Sequence, residues 1–218
     1  MQLVIMLLLG TIGMLVCNLY QRKQYALSVV QCVLFTVLLT AVGVAGAKLM
    51  FFFESGCKSW DGISFFGSVF LIPLMMPVIG CFFRLKAGQS LDLCAPCVAV
   101  MIATLRVNCF LSGCCGGWQV CIGSLCFQWP TQIMESLGDV AILYFLLNCK
   151  KAKVVTGIGY PWFLILYGVM RFVIEFLRDT SKNVLLLSRG QWFSVCSIMI
   201  GVIIMVVLRR KKANAGNS

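Results

Sequence analysis

Leu105–Trp118 reads LRVNCFLSGCCGGW and closes an apolar run that begins near Leu93. Arg106, Asn108 and Ser112 stand where hydrocarbon-facing residues belong, and Gly113-Cys114-Cys115-Gly116-Gly117 then breaks the run into a turn. An arginine inside such a run costs several kcal/mol unless it is paired or wetted, which makes it a functional-site candidate. The plainer alternative is a side chain that snorkels to an interface from near a helix end. The rest of the chain has to choose between them.

The frame around that stretch is a membrane protein. The 218 residues are 61% hydrophobic and 11% charged, with a mean hydropathy of +0.97. A soluble globule would lack the polar surface to cover itself at that balance, so the expected class is an all-α polytopic membrane protein. The loops are too short to hold a second domain, and residues 1–218 read as one integral membrane domain. The net charge of +11 invites a nucleic-acid reading. That reading fails, because the basic residues sit mostly in short clusters between apolar runs. There are 13 cysteines and no histidine. Without histidine, a zinc site would need four cysteines, or cysteines with carboxylates. Cys94-Ala95-Pro96-Cys97 is a CxxC with no second one to complete it. Packing of small side chains is its expected role, with redox chemistry the alternative. No metal and no cofactor is expected.

Seven apolar runs follow one another: about Leu3–Leu19, Ala26–Phe53, Ile63–Phe83, Asp92–Gly113, Thr131–Cys149, Val155–Leu177 and Gln191–Leu208. Most have about the 20 residues that cross a bilayer as a helix. No basic residue precedes the first run, which therefore does not read as a cleaved signal peptide. Gly43, Gly46 and Ala47 are expected to let the second helix approach a neighbour closely. Pro73 and Pro77 are expected to kink the third. Cys114–Pro130 is too short and broken to span, and reads as a loop or re-entrant piece. Arg22, Lys23, Arg84, Lys86, Lys150, Lys151, Lys153 and the Arg209–Lys212 cluster follow runs one, three, five and seven. The opposite loops hold Lys58, Lys182 and Arg189, with Lys48 and Arg178 at helix ends, beside Glu54, Asp61 and Asp179. The basic side is the cytoplasmic one, so the N-terminus is expected outside and the C-terminus inside.

This orientation makes the sixth run informative. Tyr167, Arg171, Glu175 and Arg178 recur every three or four residues and fall within about 80° of arc on a helix. Arg171 lies about 10 Å from the outer end of its run, as does Arg106 in the fourth. Two arginines at one depth can face one pocket. Two ways of balancing them stay open. Glu175 can neutralise Arg171 and Arg178 while Glu135 or Asp139 reaches Arg106; or the arginines hold an anionic ligand such as a lipid phosphate, which guanidinium binds bidentately.

Several motifs together resemble the prolipoprotein diacylglyceryl transferase family. They are Trp60-Asp61-Gly62-Ile63-Ser64-Phe65-Phe66-Gly67, Asp92-Leu93-Cys94-Ala95-Pro96, and Arg106-Val107-Asn108-Cys109-Phe110-Leu111-Ser112-Gly113. Further along come Trp129-Pro130-Thr131-Gln132-Ile133-Met134-Glu135, Tyr167-Gly168-Val169-Met170-Arg171 with Glu175 and Arg178, and Ser188-Arg189-Gly190-Gln191. Gly46-Ala47-Lys48-Leu49 is similar to the end of that family's second helix. The resemblance implies a seven-helix enzyme of the bacterial cytoplasmic membrane. Such an enzyme moves a diacylglyceryl group from phosphatidylglycerol to the lipobox cysteine in a preprolipoprotein signal peptide. It also implies catalytic roles for Arg106, Arg171, Glu135 and Glu175, with Tyr167, Asn108, Cys109, Ser112, Gly117 and Arg178 contacting substrate.

The departures from the family pattern are equally specific. Phe66-Gly67-Ser68 stands at its His-Gly-Gly, Cys109 at its asparagine, and Cys114 at a glutamate with Ser112 at the preceding asparagine. Trp129 opens its His-Pro-Ser-Gln, and Lys48 replaces the second-helix arginine. Candidate bases are then Glu135, Asp139 and Glu175. Asp92 lies about 21 Å from Arg106 along the helix and reads better as a polar helix start. Two hypotheses stand: a transferase in which Arg106 and Arg171 hold the lipid phosphate, and a non-catalytic or altered-specificity lipid-binding protein on the same fold. A transporter is a third, weakened by the lack of inverted repeats. Cys114, Cys115, Cys121 and Cys126 share the outer side, where disulfides can form.

Overall fold

The computed structural model describes residues 2–60, 62–122, 125–151, 157–178 and 187–215. Asp61, Lys153, Asp179 and Lys182 lie outside them, as do the side chains of Lys150, Lys151, Lys211 and Lys212. Seven helices are described: α1 (Gln2–Gln21), α2 (Val29–Glu54), α3 (Phe65–Phe82), α4 (Ala87–Leu111), α5 (Thr131–Lys151), α6 (Gly159–Glu175) and α7 (Arg189–Ala215). Five of them, α1, α2, α3, α4 and α7, are long and apolar enough to cross a membrane. The chain is thus an all-α, multi-pass membrane protein. The 17 residues of α6 and the two acidic side chains Glu135 and Asp139 of α5 keep those two helices apart from the apolar five.

The bundle is built around α4, which packs against α1, α3, α5 and α6. Within its membrane-length window 61% of α4 is buried, against 22–33% in the other four apolar helices. A helix surrounded by protein can carry an arginine that lipid would not tolerate. The apolar outer faces of α1, α2 and α7 are exposed, with Leu8, Val30 and Ile203 among their residues. In a membrane protein those faces meet lipid tails.

Local chemistry explains several junctions. A Cβ on Gly67 would fall 2.0 Å from the Gly46 carbonyl oxygen, so α2 and α3 touch backbone to backbone there. This is the close contact expected of the small residues in the second run. Pro73 has no N–H to give the Val69 carbonyl. The buried Tyr160 hydroxyl of α6 takes that carbonyl instead, at 2.7 Å. Helix α4 begins five residues before the expected Asp92, at Ala87. Asp92 is therefore not a helix start. Its carboxylate oxygens accept from the N–H groups of Gly157 and Gly159, both at 2.6 Å, and so hold the positive end of α6. Between α4 and α5, the segment expected as a loop contains a small antiparallel hairpin, β1 (Gln119–Ile122) with β2 (Leu125–Gln128), and a Cys121–Cys126 disulfide closes it.

Candidate active site

Gln132, Glu135 and Asp139 recur at helical spacing on one face of α5, and that face meets α4 and α6. Glu135 is the hub. One of its oxygens pairs with Arg106 Nε; the other accepts from Arg171 Nη1 at 2.5 Å. Arg171 Nη2 also reaches Glu175 at 3.1 Å, one turn along its own helix. Arg178 Nη1 closes the cluster, 3.7 Å from Glu175 and 4.0 Å from Glu135. Arg106, Glu135, Arg171 and Glu175 are all buried. The Arg106 guanidinium lies over the Phe65 ring, 4.8 Å from its centroid, where the ring face favours a cation. The four charged residues assigned catalytic roles are therefore one contiguous group, with Arg178 attached. Both oxygens of Glu135 face guanidinium groups. Asp139 is fully buried, and neither of its oxygens accepts a hydrogen bond among the described residues. The buried Tyr167 hydroxyl is likewise without a partner.

Ser188 is a member of this network that the sequence reading quoted without a role. Its hydroxyl donates to Glu175 at 2.8 Å and accepts from the Gln191 N–H at 3.2 Å. The Gln191 side chain accepts from the Ser188 N–H in return, which forms a capping box for α7. A Cβ on Gly190 would fall 2.8 Å from the Glu175 carboxylate. The start of α7 thus orients Glu175 and leaves it room. The spacing of Ser188 and Gln191 was the signal for this cap.

An apolar chamber of about 340 Å³ lies on the other side of α4. Leu39, Val44, Ile72, Val98 and Ile102 contribute to its walls. Thr40, Lys48, Ser68, Asn108, Cys109, Cys114 and Cys115 are the polar and thiol residues among its described walls. The two arginines were expected to converge on a cavity. They converge on Glu135 instead, and neither Arg106 nor Arg171 is among the described lining residues. Arg106 and Cys109 are one turn apart on α4, so the ion-pair cluster and the chamber share a wall. Ser112 was expected there too. It is the exposed C-terminal cap of α4 and does not line the chamber.

The Gly-Cys-Cys turn is held by its backbone. The N–H of Cys114 donates to the Cys109 carbonyl at 3.1 Å. Gln132 Nε2 donates to the Cys114 carbonyl at 2.6 Å, and the Thr131 hydroxyl to the Cys115 carbonyl at 3.2 Å. Gly117 donates its N–H to the Trp129 carbonyl at 2.8 Å. A Cβ there would come within 2.5 Å of the Leu177 carbonyl oxygen, so Gly117 serves backbone packing. Gly113 and Cys115 both adopt positive φ, 64° and 61°. For cysteine that conformation costs about 1 kcal/mol or more, and the hydrogen bonds on both sides maintain it. A hydrogen bond from Cys109, working against partial burial, and the charges of Arg178 and Arg106 hold the Cys115 thiol down at about 5. Burial and the neighbouring Cys115 push Cys114 the other way.

Comparison with known proteins identifies the family of the chain. The family description "Prolipoprotein diacylglyceryl transferase" matches residues 3–207. The phosphatidylglycerol–prolipoprotein diacylglyceryl transferase of Clostridium tetani is 36% identical over 137 residues, covering 57% of this chain and 55% of that protein. The transferase of the same name from Actinobacillus pleuropneumoniae is 32% identical over 174 residues, covering 72% and 65%. That of Pasteurella multocida is 29% identical over 166 residues, covering 69% and 61%. The chain thus spans 55–65% of the length of these curated relatives.

Proposed function

This chain belongs to the prolipoprotein diacylglyceryl transferase family, and on that premise we propose that it transfers a diacylglyceryl group from phosphatidylglycerol to the lipobox cysteine of a preprolipoprotein. The observation that carries this reading is that Arg106, Arg171 and Arg178 gather on Glu135 and Glu175 across α4 from an apolar chamber, with Arg106 one turn from Cys109 in the chamber wall. The chamber takes the acyl chains. The phosphate enters at its polar end and draws on Arg106, Arg171 and Arg178, exchanging contacts they make with Glu135 and Glu175. Arginine suits this exchange, because its planar fork fits carboxylate and phosphate alike. As the glyceryl carbon–oxygen bond breaks, negative charge grows on the departing glycerol phosphate, and the fixed guanidinium groups stabilise it. Glu135 and Ser188-bound Glu175 position the arginines. Tyr167, beside Arg106 and Arg171, and Asn108, in the chamber wall, supply unpartnered polar atoms.

In the membrane, the reading is seven spans, N-terminus outside and C-terminus cytoplasmic. Reporters fused to each end test it, and a pair reading out on the same side would reject it. Incubating purified protein with labelled phosphatidylglycerol and a lipobox peptide tests the activity. The expected product is a thioether-linked diacylglyceryl peptide. Lipid binding without transfer would support the second reading, a non-catalytic lipid-binding member. The absence of any histidine favours that second reading.

A further inference from the structure

The transfer requires a thiolate, and a chain with no histidine must form it by other means. Glu135 and Glu175 are committed to guanidinium groups. Against the chamber, however, the Sγ atoms of Cys109, Cys114 and Cys115 all lie within 4.8 Å of one another. Tetrahedral zinc with bonds of about 2.3 Å needs sulfurs about 3.8 Å apart, so these three need only close slightly. They come from the last turn of α4 and from a turn whose carbonyls Gln132 and Thr131 hold. Such outer hydrogen bonds are what fixes ligands around an ion. The left-handed backbone at Cys115 has no role in the ion-pair cluster, and it lets this residue share the sulfur cluster with Cys109.

The geometry points to Cys109, Cys114 and Cys115 as a three-thiolate site for a thiophilic d10 cation, best fitted by zinc. Three protein ligands and one open position is the arrangement of catalytic rather than structural zinc. All three cysteines line the chamber, so the fourth position opens where the substrates meet. Charge agrees. Zinc with three thiolates carries one negative charge and with four carries two, and the positive charges of Arg178 and Arg106 act on Cys115 while Lys48 lines the same chamber.

The role in catalysis rests on the transferase reading. The acceptor cysteine's sulfur takes the fourth position, its S–H bond breaks and the proton passes to solvent, because a coordinated thiol is deprotonated. The sulfur's electron pair then forms the C–S bond to the glyceryl carbon. The C–O bond to the phosphate breaks with its pair retained on the phosphate oxygen, and glycerol phosphate leaves. Nothing is oxidised or reduced. The thioether product is a poorer ligand than the thiolate and departs.

The test uses the full chain, purified reduced in detergent, stripped with chelator and titrated with zinc against a competing chelator. A single tight equivalent is expected, and C109S, C114S and C115S should each raise its Kd at least ~100-fold, beyond the 10- to 100-fold typical of outer-shell changes. C196S, on an exposed position of α7, should bind as wild type. If C109S cannot be recovered folded, the two exposed turn variants decide the point. No uptake by the wild type, or unchanged uptake in C114S and C115S, overturns the site. With cobalt in place of zinc, adding a lipobox cysteine peptide should strengthen the sulfur-to-metal absorption, and a serine peptide should not. An unchanged spectrum overturns the acceptor role. Full transfer by metal-free protein also overturns the zinc step while leaving the transferase reading intact. Zinc binding without any transfer defeats that reading and leaves the three-thiolate site standing.

Discussion

Two cysteine groups, one within α4 and one at its C-terminal end, have opposite surroundings. Cys94 and Cys97 are three residues apart, both fully buried, in the N-terminal half of the helix. Cys97 Sγ contacts the Leu93 carbonyl at 3.3 Å and Asn18 Oδ1 at 3.2 Å, and Asn18 in turn donates to Thr36 at 2.8 Å. The Cys97 thiol thus points into the seam with α1, and Cys94 is enclosed in the apolar core. Cys109, Cys114 and Cys115 form no CxxC, yet their sulfurs meet at an open chamber. The lesson is that spacing puts sulfurs near each other, but what faces them decides their chemistry. The motif with the stronger sequence signature is the packing one.

The largest effect should come from the charge that separates the two groups. Arg106→Ala leaves Glu135 buried with one guanidinium fewer, and is expected to cost about 3–5 kcal/mol of stability and abolish transfer. Arg106→Lys keeps the charge but loses the fork, so it should restore stability in part and little activity. Thermal unfolding in detergent and the labelled-lipid assay measure both. Wild-type transfer in Arg106→Ala would end the arginine-clamp reading. Arg178→Lys, with longer contacts of 3.7–4.0 Å, should cost less.

Paired substitutions sharpen the contrast directly. Cys97→Ala is expected to lose about 1–2 kcal/mol by opening a small void and stranding Asn18, with zinc affinity unchanged. Cys115→Ser should show the reverse: stability within about 0.5 kcal/mol of wild type without metal, and zinc binding lost. If Cys97→Ala weakens zinc and Cys115→Ser does not, the comparison is inverted.

A smaller effect is expected from Gln132→Ala. It removes the 2.6 Å donor from the Cys114 carbonyl and should cost about 1 kcal/mol and roughly 10-fold in zinc affinity. The smallest belongs to Cys126→Ser. Its disulfide closes a loop with a sequence separation of only 5, so the denatured chain gains little entropy and transfer should be unchanged. Mass spectrometry with and without reductant checks that this pair is bonded.

Much of the candidate site was legible because it obeys helical periodicity. Tyr167, Arg171 and Glu175 share a face whatever surrounds α6, and Glu135 and Asp139 share one on α5. Arg106 stood out because hydrocarbon gives a cation no partner. Less legible were contacts between elements far apart in sequence. Asp92 holding the start of α6, Thr131 and Gln132 holding the cysteine turn, and Ser188 holding Glu175 are side-chain bonds with no periodic signature.

By itself the sequence determined the membrane class, the helices and which residues are costly enough to require a partner. Those follow from local solvation and from a fixed helical rise, which need no knowledge of neighbours. Only the tertiary structure decided the partners. It gave Arg106 to Glu135 and put Cys97 against Asn18. It also turned Cys109, Cys114 and Cys115 toward one chamber. Those outcomes depend on which helix faces pack together, and on a left-handed residue whose strain only long-range hydrogen bonds can sustain.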